Sequence, residues 1–166
     1  MNEQTNISNT TRIIALGAVI AAVYAALTYL TAPISFSAIQ FRVSEAFCIL
    51  PVFTAAAVPG VTVGCFLANF LAGAAPMDVV FGTLATFIGA LGTRALRKRG
   101  PFAAIPPIIS NALIIPFVLR YAYGVPDLIP FMMLTVGMGE VISVGLLGNL
   151  LRIALIKAGA DRFLTD

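Results

Sequence analysis

Ile13-Ile-Ala-Leu-Gly-Ala-Val-Ile-Ala-Ala-Val-Tyr-Ala-Ala-Leu-Thr-Tyr-Leu30 carries no charge over eighteen consecutive positions. A run of about 20 apolar residues is what an α-helix needs to cross roughly 30 Å of hydrocarbon. The twelve residues before it, Met1 to Arg12, are polar and lack the positive head and cleavage pattern of a secretory signal. The run therefore reads as a first transmembrane helix that stays, preceded by a polar cytoplasmic tail over 1–12. The rest of the chain has the same character. Of 166 residues, 60% are hydrophobic and 10% charged, with a mean hydropathy of +1.00. Seventeen charged side chains could not cover a soluble core of this length. The expectation is an all-α polytopic membrane protein of one domain over 1–166.

Apolar segments run over about 13–31, 46–58, 60–75, 78–96, 103–122 and 128–156, which predicts six transmembrane helices. Arg94, Arg97, Lys98 and Arg99 precede the Gly100-Pro101 break between the fourth and fifth. With a cytoplasmic N-terminus, eight basic residues (these four with Arg12, Arg152, Lys157 and Arg162) face inward, and only Arg42 and Arg120 face outward. That bias is the positive-inside pattern of short loops, so both termini are expected in the cytoplasm. The weak region is 46–75. Val58-Pro59-Gly60 divides it into two pieces, each short for a crossing, and Pro51 removes a helix hydrogen bond from the first. A short tilted hairpin is the favoured reading; a re-entrant pair buried among other helices also satisfies the backbone.

Several function classes drop out. The chain has no histidine, so His-based catalysis and the HExxH metalloprotease pattern are excluded. Cys48 and Cys65, seventeen positions apart in apolar runs, suggest neither a CxxC site nor a disulfide framework. No metal-ligating cluster and no nucleophile–base pair is visible, and no enzyme is expected. There is no GxxxxGK[ST] phosphate loop, so the chain cannot itself hydrolyse nucleotide. The basic pI, near 9.2, does not point to nucleic acid, because the positive charge lies at the membrane surface.

Charge placed inside such a chain is informative, since insertion scales put a charged residue at the bilayer centre at about 2.5–3.5 kcal/mol. Apart from the cytoplasmic charges, Arg42 and Arg120 stand against Glu45, Asp78, Asp127 and Glu140. An acidic outward half suits a cationic or donor-rich solute. Glu140 lies roughly 15 Å along a helix starting at Pro130 by helix rise, with Gly137 and Gly139 beside it and Ser143 one turn on. It either lines a solute site or is held by Arg120 or Asn111. Asn111 sits between Pro106-Pro107 and Pro116, Asn69 near the outward end of the third span, and Asp78 at the start of the fourth, where the helix dipole alone would favour it. Asp127 has the same explanation at its loop, and Asn149 reads as a helix–helix hydrogen bond. Arg42 and Glu45 follow Phe36, Ile39, Gln40 and Phe41 in a loop that reads as a lid, or as an interfacial salt bridge with aromatic anchors. Tyr121 and Tyr123 read as anchors at the opposite rim. The first helix carries two small-residue rows, Gly17/Ala21/Ala25 and Ala18/Ala22/Ala26, at four-residue spacing that lets another helix approach closely. One neighbouring helix needs one row, so the surplus suggests a partner subunit; packing within the protein is the alternative.

Phe36-Ser-Ala-Ile-Gln-Phe-Arg-Val-Ser-Glu45, followed by apolar Ala46 to Pro51, resembles the signature region of the QueT family, the queuosine-precursor transporters that are substrate-binding S components of energy-coupling factor (ECF) importers. The resemblance extends to Pro59-Gly60, Asn69, Met77-Asp78-Val-Val-Phe-Gly82, the basic loop, Pro106-Pro107 with Asn111, and Gly139-Glu140. It implies an S-component-like six-helix protein in the plasma membrane of a prokaryote, with an outward pocket under the first loop. It also implies docking on a transmembrane T subunit through Ala18, Ala22 and Ala26, or Ala21 and Ala25. Two partner ATPases would use the ATP, and the chain itself would need no cofactor. The implied solute is a 7-deazaguanine, such as the aminomethyl or cyano form or queuine. Glu140 would take the guanine edge, Glu45 or Asp78 the side arm, Asn69 or Asn111 the ring heteroatoms, Arg42 with Gln40 the lid, and Phe36 or Phe41 a stacking face. An S component for another vitamin, such as riboflavin or thiamine, and a stand-alone proton-coupled carrier using Glu140 as a relay are the rivals.

Overall fold

The computed structural model describes residues 2–31 and 42–164, with backbone only for 2–9. Helix α1 spans Asn2–Leu30, so the polar segment expected as a tail is already helical. A 3-10 helix, Val43–Val52, follows. Then come α2 (Ala57–Leu71), α3 (Pro76–Ala95), two 3-10 turns over Arg97–Ala104 kinked at Gly100, and α4 (Ile105–Ala122). Gly100 takes φ 59°, a left-handed value that favours glycine. The last span is α5 (Ile129–Glu140), a π-helical stretch (Val141–Gly148) and α6 (Asn149–Lys157), closed by a short α7 (Asp161–Leu164). There is no strand among the described residues.

Four stretches are long and apolar enough to cross a bilayer: Thr10–Leu30, Pro76–Ala95, Arg97–Ala122 and Ile129–Lys157. Their outward faces carry exposed Val19, Val23, Val80, Phe87, Leu113, Phe131 and Leu150, as lipid-facing surfaces do. Val43–Val52 and Ala57–Leu71 are apolar but shorter. The expected break at Val58-Pro59-Gly60 falls earlier, at 53–56, and Pro59 sits in the first turn of α2. There its missing N–H would be an orphan in any case, so the helix accepts it.

The 3-10 helix is the most enclosed element, with seven of its ten residues buried. Its geometry has a use. At about 2.0 Å per residue ten residues reach roughly 20 Å, where an α-helix of the same length would reach about 15 Å. Its start is tied to α3 by Arg42 and Asp78. Its end is tied to the other end of α3, where Arg94 donates to the Pro51 carbonyl at 3.2 Å. The segment thus runs alongside α3 through the middle of the bundle.

Close backbone packing holds the helices together. A Cβ on Gly60 would lie 2.9 Å from the Gly17 carbonyl oxygen, and one on Gly64 3.0 Å from that of Ala21. Low positions pair with low, so α1 and α2 run parallel. Gly89 meets Pro107 and Gly92 meets Pro106, making α3 and α4 antiparallel, and α4 runs unbroken through Pro116. At one end Arg12 donates to the Phe163 carbonyl at 2.7 Å, bringing the two terminal helices together. Asn149 donates to the Gly145 carbonyl within its own helix and, at 3.4 Å, to the Pro101 carbonyl, the helix-to-helix bond expected of it.

Candidate functional site

Among the described residues four charged side chains are buried: Arg42, Glu45, Asp78 and Glu140. Each arrives on a different part of the fold: Arg42 just before the 3-10 helix, Glu45 in its first turn, Asp78 in the first turn of α3, and Glu140 at the last position of α5. Three are carboxylates and one is a guanidinium, so the interior is acidic as the sequence predicts.

The partners differ from those expected. The sequence suggests Glu45 as the counterion of Arg42; the ion pair observed is between Arg42 and Asp78, at 3.7 Å. Asp78 Oδ2 also accepts from the Tyr123 hydroxyl at 2.9 Å, and that hydroxyl in turn accepts from the Ala75 N–H at 3.2 Å. Burial and the neighbouring Asp78 raise the Tyr123 phenol above its ordinary value, so it is a donor at neutral pH. Tyr123, read from the sequence as an interfacial anchor, therefore belongs to the cluster, whereas Tyr121 is exposed. Glu45 has partners of its own: the Tyr24 hydroxyl donates to Oε1 at 2.5 Å and the Cys48 thiol to Oε2 at 3.0 Å. Neighbouring Ser44 bonds to Thr28 at 2.5 Å. Tyr24 and Thr28 are wholly buried, so α1 is stitched to the segment carrying Arg42.

Asn69 and Asp78 come together across the α2–α3 corner. The Asn69 amide donates to the Asp78 carbonyl at 3.4 Å, and both side chains close on Gly82, where a Cβ would lie 2.9 Å from Asp78 Oδ1 and 3.1 Å from Asn69 Nδ2. Only glycine leaves that space. Asn69 also reaches the Cys65 sulfur at 3.6 Å, and Thr86 donates to the same sulfur at 3.3 Å.

Glu140 stands apart. Neither partner suggested for it is there: Arg120 donates to the Val125 carbonyl at 3.0 Å and is exposed, and Asn111 donates to the Pro107 carbonyl of its own helix at 3.2 Å. Among the described residues the buried Glu140 Oε2 has no hydrogen-bond partner, and neither do Asp78 Oδ1, Asn69 Oδ1 and Ser143 Oγ. Buried polar atoms are nearly always satisfied, so these four oxygens call for an explanation. All four accept hydrogen bonds, and one, Ser143, can also donate.

Phe36, Gln40 and Phe41 lie outside the described residues. The rows of small residues on α1 separate. Ala21 and Ala25 are buried against α2, while Ala18, Ala22 and Ala26 are exposed. Two surface clefts, of about 400 Å³ between α4 and the last span and about 340 Å³ between α3 and α4, are lined only by apolar side chains such as Ile108, Met138, Phe81 and Phe117. They face where lipid would lie and hold none of the polar cluster.

Tyr24, Thr28, Ser44, Cys48 and Thr86 were not among the residues the sequence singles out. One signal was available: Tyr24 and Thr28 share a face with Gly17, Ala21 and Ala25 at helical spacing, which puts two hydroxyls on the packed side of an apolar helix.

No curated protein and no solved structure matches the chain. A family does. The described residues are helical, with four apolar stretches of membrane length, and since the model of the QueT transporter family matches residues 14–157, the chain belongs to that family.

Proposed function

We propose that this chain is the substrate-binding membrane subunit of an ECF-type importer that takes up a queuosine precursor, a 7-deazaguanine, across the cell membrane of a prokaryote. The observation that carries the reading is the set of buried, unpartnered acceptors on Glu140, Asp78 and Asn69. A guanine-like edge offers adjacent N–H donors that pair with a carboxylate in two parallel, charge-assisted hydrogen bonds. Glu140 is the choice for that edge because its buried Oε2 has no donor among the described residues. Asp78 is preferred to Glu45 for the side arm: both oxygens of Glu45 already accept internal hydrogen bonds, whereas Asp78 keeps Oδ1 open with Asn69 beside it. Arg42, on Asp78, is the latch between the first loop and α3. Asn111, occupied by its own helix, is a weaker candidate for a ring contact.

The two ends of the bundle support an orientation. The Arg12–Phe163, Asn149–Pro101 and Arg94–Pro51 bonds gather the basic residues at one end, and Arg42, Asp78 and Tyr123 lie at the other. The positive-inside rule puts the basic end, and with it both termini, in the cytoplasm. The 3-10 helix and α2 form the second and third of six passes. The exposed Ala18/Ala22/Ala26 row faces the T subunit, and two partner ATPases supply the energy.

Isothermal titration of 7-aminomethyl-7-deazaguanine into the purified protein tests the reading. Wild type binds; Glu140→Gln, which converts an acceptor-only carboxylate into an amide, weakens binding roughly 100-fold or more, as loss of a charge-assisted pair requires. Wild-type affinity in that variant refutes the assignment of Glu140.

A further inference from the structure

The last span changes its winding at the proposed site. It is α-helical to Glu140, then π-helical over Val141–Gly148, then α-helical again. π-Helical turns are rare and concentrate at functional sites, where the extra residue per turn re-aims side chains. Here the buried side of the stretch carries Glu140, Ser143 and Val144, while Val141 and Ile142 are exposed. That side packs on the 3-10 helix: a Cβ on Gly148 would lie 3.2 Å from the Ala46 carbonyl oxygen and 3.4 Å from Ile49. Glu140 and Ser143 are both buried on this side of the span, Glu140 at the last α-helical position and Ser143 three residues on, inside the π-helical stretch.

Ser143 is 1% exposed, and its hydroxyl has no hydrogen-bond partner among the described residues. A serine inside a helix ordinarily bonds a carbonyl one turn back. Other hydroxyls here do so: Thr28 to Tyr24, Thr62 to Val58, Thr83 to Val79 and Thr86 to Gly82. Ser143 does not, and an unsatisfied buried hydroxyl is costly unless something else supplies the partner.

Resting on the deazaguanine reading above, the geometry points to Ser143 as a specificity-determining residue. Its hydroxyl donates to the ring nitrogen that follows the exocyclic amine along the guanine edge, the purine N3, while Glu140 accepts from the N1–H and the amine. Carboxylate and hydroxyl together read an acceptor adjacent to two donors, a pattern that adenine-like and pyrimidine rings do not present in that order. A ring in which N3 is replaced by C–H leaves the hydroxyl unpaired, the kind of mismatch a polar site rejects.

The test is a two-by-two titration: wild type and Ser143→Ala against 7-deazaguanine and 3,7-dideazaguanine, with thermal unfolding of both proteins without ligand. Wild type binds the first base roughly tenfold more tightly than the second, and Ser143→Ala binds both with the weaker affinity. The unfolding temperature of Ser143→Ala is unchanged or higher, because an orphan hydroxyl has been replaced by a methyl-sized group. A purely structural serine would instead lower it. Equal affinity of wild type for the two bases, or an undiminished affinity of Ser143→Ala for 7-deazaguanine, overturns the assignment of Ser143 and leaves the reading of Glu140 standing. Failure of wild type to bind either base overturns the deazaguanine reading, and the role of Ser143 with it.

Discussion

Ala21 and Ala22 are adjacent in sequence and opposite in environment, so one substitution made at each separates folding from docking. Ala21 is 6% exposed, and its carbonyl oxygen would lie 3.0 Å from a Cβ on Gly64. Leucine at 21 must find room for three more carbons against the backbone of α2. Overpacking of this kind costs about 1–3 kcal/mol. For a chain of this size that corresponds to a fall in unfolding temperature of roughly 2–12 °C. Ala22 is exposed. Leucine there meets only lipid or detergent and should change stability by no more than about 0.5 kcal/mol. If the exposed row is where the T subunit docks, Ala22→Leu nonetheless stops uptake, because a smooth surface that allowed close helix approach now carries a knob. Three measurements decide: thermal unfolding in detergent, ligand titration, and uptake by cells expressing the full transporter. The expected pattern is that Ala21→Leu lowers the melting temperature, while Ala22→Leu keeps stability and binding but loses uptake. Full uptake with Ala22→Leu refutes docking through this row. An equal loss of stability in both variants refutes the assignment of the two faces.

Tyr24→Phe leaves Glu45 Oε1 without its donor in a fully buried position, and a stability loss of about 1–3 kcal/mol is expected by chemical or thermal unfolding. Unchanged stability would show that the bond is not formed in solution. Gly92→Ala forces a Cβ into the Pro106 ring, which cannot turn away, so it should destabilise by about 1–3 kcal/mol despite the better helix propensity of alanine. Gly137→Ala is the matched control: its Cβ would meet Ala112 at an ordinary 3.6 Å, and its unfolding temperature should stay level or rise.

The long helices were legible because eighteen uncharged residues leave a backbone in lipid no alternative to a helix. The 3-10 helix was not. Val43–Val52 is apolar on nearly all sides once buried, and a period of three cannot be told from 3.6 in ten residues without a polar face to mark it. The break before α2 was misplaced for a related reason. Pro59 looks like a stop, but in a first turn it is a start, and what sets the boundary is the length of the enclosed segment. At the site, the carboxylates stood out because charge is rare in this chain. Their partners did not. Tyr24 and Cys48 are unremarkable residues for an apolar helix, and only the three-dimensional neighbours give them meaning. Nearness in sequence made an Arg42–Glu45 salt bridge one of two readings of that loop, whereas the guanidinium, lying before the helix and not in it, reaches Asp78 on α3.

The distribution of donors over the three buried carboxylates argues for how the site divides its work. Glu45 is served by a phenol and a thiol, and Asp78 by a guanidinium and a phenol. Those donors come from α1, the 3-10 helix and the end of α4, so they tie the bundle together whether or not a solute is present. Removing one partner of such a buried group costs several kcal/mol, so these bonds stay made through the transport cycle, and of the two only Asp78, through its Oδ1, has an oxygen left to offer a solute. Glu140 is under no such obligation. It sits where the last span changes winding, with an unpartnered oxygen and an unpartnered hydroxyl three residues on. A carboxylate left without protein donors is stabilised most by a ligand that brings its own, and that gain is largest for a solute with two parallel N–H groups. The fold therefore commits its internal donors to the carboxylate oxygens that hold the scaffold and leaves the solute to satisfy Glu140 at the ring edge and the remaining oxygen of Asp78 at the side arm.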